Sequence, residues 1–225
     1  MNVLPMEALI TSSRFSDSED RANALSHLGG TLLSIAGLVL MLVFAVSSGN
    51  AWYIVSSSVF GTSLILLYLS STIAHWLPAG NFKDRFFIID QATIFILIAG
   101  TYTPLALISL RGPLGWVVLG IEWGLAIIGI IRLAMRTARF EEGVGLADIL
   151  IYVSMGWLVV IISGPVLRAI PIMGYLWIVI GGVFYTAGII FFKFTSFRYH
   201  HLIWHLMVIG GSVSHFIAIF FYIIL

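Results

Sequence analysis

Residues 202–225 read LIWHLMVIGGSVSHFIAIFFYIIL, 24 positions without a single Asp, Glu, Lys or Arg. About 20 mostly apolar residues carry an α-helix across the hydrocarbon core of a bilayer. The run is continuous rather than alternating, and the strands of a membrane barrel would be about half as long. A membrane helix is therefore the reading, and the rest of the chain repeats it. Comparable runs lie at 172–192, 144–162, 114–131, 86–107, 51–74 and 28–46, which makes seven candidate spans joined by short loops. The run at 144–162 is the weakest, because Asp148 falls just inside it.

The whole composition agrees. Of 225 residues, 60% are hydrophobic and 9% charged, with a mean hydropathy of +1.07. A soluble domain carries about 45–50% and about 25%, and a chain this apolar could not cover itself with polar surface in water. A soluble enzyme, a disordered segment and a nucleic-acid binder are excluded. The expected fold is all-α, a polytopic membrane protein built as a seven-transmembrane helix bundle. Residues 1–26 form a polar N-terminal segment, and residues 27–225 form the membrane domain. Met1–Ser26 lacks the basic end and apolar core of a cleaved signal peptide, so the first span is expected to act as an uncleaved anchor. Within this segment Ser16-x-x-Glu19 has the pattern of a capping box, which predicts a short helix ahead of the first span.

Lys and Arg set the orientation. The N-terminal segment holds Arg14 and Arg21, and the second loop Lys83 and Arg85. The fourth loop holds Arg132, Arg136 and Arg139, and the sixth Lys193 and Arg198. These four segments share one side, with nine basic residues against Arg111 and Arg168 on the other. The N-terminus is expected in the cytoplasm and the C-terminus outside.

Ionisable residues inside a membrane are costly and mark function. Ser71 and His75 are four residues apart at the end of the second span, on one helix face. Asp90 lies in the first turns of the third. His201 and His205 open the seventh at the same spacing, as in zinc-binding helices, where two imidazoles one turn apart meet one metal. The expected topology brings all of these groups to a similar depth on the cytoplasmic side. Three His and an acid suit a tetrahedral zinc with one open position. With no cysteine in the chain, a metal would have to be held by His, Asp or Glu. Each motif has a plainer explanation, since histidines at helix ends are often simply solvated among headgroups. His200, turned about 100° from His201, is expected at the interface, and His27 and His215 are expected to pack or hydrogen-bond near opposite faces. Glu122 falls in the middle of the fourth span, where it could be protonated, bonded between helices or lining a cavity. Pro104, closing Gly100-Thr101-Tyr102-Thr103-Pro104, is expected to kink the third span.

The stretches Asn23-Ala24-Leu25-Ser26-His27, Ser71-x-x-x-His75, Ile98 through Pro104, Met155-Gly156-Trp157-Leu158 and His201-x-x-x-His205 through Gly211-Ser212 resemble the haemolysin III family. That family is the bacterial branch of the progestin and adipoQ receptor superfamily, and the likeness runs in order along the chain. In the adiponectin receptors of that superfamily, the positions matching His75, His201 and His205 bind zinc. The match to Asp90 contacts the water at the zinc, and the match to Ser71 has a supporting role. The resemblance implies a multi-pass protein of the bacterial inner membrane with zinc as cofactor. It also implies hydrolysis of a lipid amide or ester, with a membrane lipid or acyl chain as substrate, Asp90 as base and Ser71 beside it. Two other functions stay open: a non-enzymatic membrane regulator with a structural zinc site, and a cytolytic, channel-like protein of the kind the family name denotes. A pore wall wants polar residues recurring along several helices, and these spans offer few.

Overall fold

The computed structural model describes residues 15–138 and 144–225. Residues 1–14 and 139–143, which carry Arg14 and Arg139 of the charge count, lie outside the described residues, as does most of the 1–26 segment. Among the described residues there is no strand. Six helices are long and apolar enough to cross a membrane. They are α1 (Asp17–Ser47), α2 (Ala51–Trp76), α3 (Asn81–Pro104), α4 (Pro113–Ala138), α8 (Ile172–Lys193) and α9 (His200–Ile219). Helix α1 packs on α2 and α9, α2 on α3, α3 on α4, and α8 on α9. Large apolar side chains such as Leu32, Leu33, Val43, Ile127 and Ile190 are exposed on the outer faces. Hydrocarbon supplies no hydrophobic force between helices, so close backbone approach through small residues holds them. At the α8–α9 contact, a Cβ on Gly188 would lie 2.7 Å from the Trp204 ring, and one on Gly211 would lie 2.8 Å from Tyr185.

The capping box is present but does not make a separate helix. The Ser16 hydroxyl accepts from the Glu19 N–H at 3.4 Å, and the Glu19 carboxylate accepts from the Ser16 N–H at 3.1 Å. This cap opens α1 itself, which runs unbroken for 31 residues, about 46 Å at 1.5 Å each. That exceeds a hydrocarbon core of about 30 Å, so the polar first turns extend beyond the apolar run.

The fifth candidate run is not one helix. It divides into α5 (Leu146–Gly156), α6 (Leu158–Ile161) and α7 (Ser163–Ala169), so helix continues through much of what the sequence reads as a loop. The second break falls before Pro165. Proline has no N–H to donate to the preceding turn, and within the first turn of α7 none is needed. At the first break, at Trp157, one side chain replaces the lost backbone partners. The Tyr102 hydroxyl donates to the Gly156 carbonyl at 3.0 Å and accepts from the Val159 N–H at 2.8 Å. Irregular backbone at membrane depth persists where protein groups satisfy it in this way. At Pro104 the chain does not leave the helix but widens into π-helical turns over Leu105–Leu110, which take up the missing donor.

Candidate metal centre

Two helices distant in sequence supply the centre. His75 ends α2, and His201 and His205 occupy the first two turns of α9. One ring nitrogen from each lies within 4.8 Å of the other two. The residues are 2%, 9% and 1% exposed, so the nitrogens face one another and not solvent. The fold thus brings together the three histidines singled out in the sequence.

The first turns of α1 close over this group. The Asp20 carboxylate lies 2.8 Å from His75 Nδ1 and, through its other oxygen, 2.7 Å from Lys83 Nζ. His205 Nδ1 is 3.1 Å from the Ser26 hydroxyl and 3.2 Å from the Asn23 carbonyl. Ser26 already donates its hydrogen to that carbonyl at 2.7 Å. Both neighbours therefore accept, and Nδ1 of His205 carries the proton. A carboxylate also only accepts, so Nδ1 of His75 is protonated too. The Nε2 atoms keep their lone pairs. His75 Nε2 is buried and has no hydrogen-bond partner among the described residues. A buried acceptor without a partner costs about 1–3 kcal/mol, and a metal ion at the meeting point would satisfy it. Three imidazoles suit zinc, and bonding of the far nitrogen to an oxygen, seen here for His75 and His205, is the usual support for such ligands. The residues fit the metal.

The start of α9 is also fixed from α1. Tyr199, just before His200, has φ 60°, a left-handed conformation that side chains disfavour. Its N–H donates to the Glu19 carboxylate at 3.0 Å. Glu19 lies ahead of the apolar run, and its carboxyl is held well below the usual range, first by the Ser16 hydroxyl and then by the Tyr199 N–H.

Asp90 stands outside the group of three nitrogens. It lies on α3 beside Ser71 of α2, and both residues line a cavity of about 690 Å³ that also reaches His201 and His205. Aliphatic and aromatic residues such as Leu97, Ile98, Leu105, Ile178 and Ile219 form much of the wall. The arrangement is a polar end where His201, His205 and the Asp90 carboxyl face a chamber with mainly apolar walls.

Several histidines differ from their sequence reading. His200 is buried at 8%, with Nδ1 on the Phe191 carbonyl at 3.0 Å, because α8 and α9 fold back on each other there. His27 packs, as expected, but against the centre itself: its ring stacks on His205 at 3.5 Å and 12°, and it lines the cavity. His215 donates to the Ile178 carbonyl at 3.0 Å, as a hydrogen-bonding histidine should. Glu122 is fully buried on α4, and neither oxygen has a hydrogen-bond partner among the described residues. Asp20 belongs to no motif of the sequence reading, which gives Asn23, Ser26 and Lys83 no place at the site. A signal for the α1 residues existed, since buried Asp20, Asn23, His27, Thr31 and Ser34 recur at helical spacing.

The chain is similar to known proteins over most of its length. The chain is 42% identical over 208 residues to a hemolysin-3 homolog of Bacillus subtilis (strain 168), covering 92% of this chain and 96% of that one. It is 41% identical over 206 residues to hemolysin-3 of Bacillus cereus, covering 92% of each. A weaker likeness, 25% over 214 residues, links 91% of the chain to 84% of the human monocyte to macrophage differentiation factor. The family model described as haemolysin-III related matches residues 15–216, which include every residue of the centre, and the chain belongs to that family.

Proposed function

We propose that this protein is a zinc-dependent hydrolase of lipid amide or ester bonds, seated in the bacterial inner membrane and acting in membrane lipid homeostasis. The observation that carries the reading is a group of three buried imidazoles, two of which, His201 and His205, line a largely apolar cavity of about 690 Å³. In this reading the chain crosses the bilayer seven times. Residues 146–169 make the fifth crossing, the N-terminus lies in the cytoplasm and the C-terminus outside.

His75, His201 and His205 would hold the metal. When bound, zinc supplies a Lewis acid and lowers the pKa of a coordinated water toward about 7. The chain's own residues do the rest. Asp90 orients the attacking water and takes its proton. Ser71 steadies the Asp90 carboxyl. The apolar wall receives an acyl chain and keeps bulk water from the polar end. Hemolysin-3 is the name of a relative, and lysis would require a conducting path; a cavity with walls this apolar favours a lipid over ions.

Asp90→Asn tests the proposal. Purified protein is assayed against a panel of lipid amides and esters, with zinc content measured in parallel. Hydrolysis should fall on the order of 10²–10⁴-fold while zinc content stays unchanged. A second reading, zinc as a structural staple, draws on the ligands' joining α2 to α9. It prevails if no amide or ester is cleaved and zinc removal lowers the unfolding temperature of wild type and Asp90→Asn alike.

A further inference from the structure

The buried carboxylate of Asp20 belongs to no motif, and it bridges two groups of unlike need. One oxygen meets His75 Nδ1 at 2.8 Å; the other meets Lys83 Nζ at 2.7 Å. Lys83 is 5% exposed and also donates to the Leu77 carbonyl at 3.0 Å, so its ammonium is held in place at the α2–α3 connection. An ammonium only donates, and a carboxylate only accepts. Asp20 is therefore the one side chain that can satisfy Lys83 and at the same time require a hydrogen on His75 Nδ1. That hydrogen leaves the lone pair on His75 Nε2, the buried nitrogen that has no partner among the described residues.

We propose that Asp20 is a positioning residue that sets the tautomer of His75 for metal binding, and that the fixed Lys83 ammonium is what makes an ionised carboxylate necessary there. The inference rests on the metal-centre reading above. It differs from a plain structural tie between α1 and the α2–α3 connection in what an amide would do. In Asp20→Asn, the single carbonyl oxygen turns to Lys83, which can accept nothing. The NH₂ then faces His75 Nδ1, which must accept, and the imidazole proton moves to Nε2, where the metal should bind. Removing the ammonium as well, in Asp20→Asn with Lys83→Met, frees the amide to turn its oxygen to His75. The ligating tautomer returns.

The test uses the full chain in detergent, with zinc affinity measured by competition with a chromophoric chelator. The His75 tautomer is read by ¹⁵N NMR on the metal-free protein. Asp20→Asn should bind zinc about 10–100-fold more weakly than wild type, with His75 carrying its proton on Nε2. The double variant should recover most of that loss, with the proton back on Nδ1. Removing a second buried partner could not repair a merely structural tie. The proposal is overturned if Asp20→Asn binds zinc like wild type, or if the double variant is as weak as the single one. If the wild type shows the Nδ1 proton but binds no zinc, the metal-centre reading has failed while the Asp20 geometry stands. A wild-type His75 protonated on Nε2 overturns the inference alone.

Discussion

Asp20 on α1 meets an imidazole and an ammonium at 2.8 and 2.7 Å, whereas Glu122 on α4 is fully buried with no hydrogen-bond partner for either oxygen among the described residues. Both are carboxyl groups enclosed by helices, and burial alone would rank Glu122 as the more conspicuous. The difference shows what marks a site. Around Asp20, donors and acceptors are arranged so that lone pairs remain on nitrogens that face one another. Around Glu122 no hydrogen-bond partner stands among the described residues, and burial there is a cost. The bundle thus has an organised half built from α1, α2 and α9. In the other half, the Glu122 carboxyl has no described partner and the Tyr102 hydroxyl is spent on a broken helix, while Asp148 is paired with Arg132 and Arg136 at the end of α4.

The largest effect expected in this comparison belongs to the organised half. His205→Ala removes one of three nitrogens that lie within 4.8 Å of one another. Metal content of purified protein, read by mass spectrometry, should fall from about one zinc per chain to none, since three ligands are the least that such sites retain. Zinc surviving the substitution would mean that the three histidines are not the ligand set, and the distinction between the two halves would lose its basis.

How much of this was legible in the sequence depends on distance along the chain. The pairs Ser71/His75 and His201/His205 could be read because a helix repeats every 3.6 residues and sets them on one face. Six of the seven candidate spans coincide with long helices for the equally local reason that each is a continuous apolar run. Ser26 and His205, by contrast, are 179 positions apart, and no periodicity couples them. Their meeting follows from the packing of α1 on α9, which the Gly-lined and polar faces decide together. The break at Trp157 was hidden for the same reason: its repair comes from Tyr102, 54 residues upstream of the carbonyl it serves. Asp20 could have been suspected from its place on the polar stripe of α1, but its partners could not.

Tyr102 offers the next largest effect, in the less organised half. Tyr102→Phe keeps the ring and deletes the hydroxyl that serves both the Gly156 carbonyl and the Val159 N–H. Val159 is 2% exposed, so little water can replace what is lost. Leaving the buried Val159 N–H unpaired costs about 1–3 kcal/mol, and the half-buried Gly156 carbonyl loses its partner as well. A lower unfolding temperature should result, together with faster amide hydrogen exchange confined to residues 156–162. Exchange unchanged in that segment would show that the break is held by the packing of its neighbours and not by the hydroxyl.

Glu122 gives the smallest effect and the one of opposite sign. Glu122→Leu replaces a side chain whose two oxygens have no described partner with one of similar length and no polar atom. On α4 itself its neighbours one turn before and after, Val118 and Ala126, are apolar and buried. Relief of the unsatisfied carboxyl should stabilise the bundle by about 1–3 kcal/mol, less any misfit of the branched side chain. The unfolding temperature should rise while zinc content and lipid hydrolysis stay as in wild type. If the variant is instead less stable, or loses hydrolysis with its zinc in place, Glu122 has a partner in the working protein. The contrast with Asp20 would then be one between two organised sites.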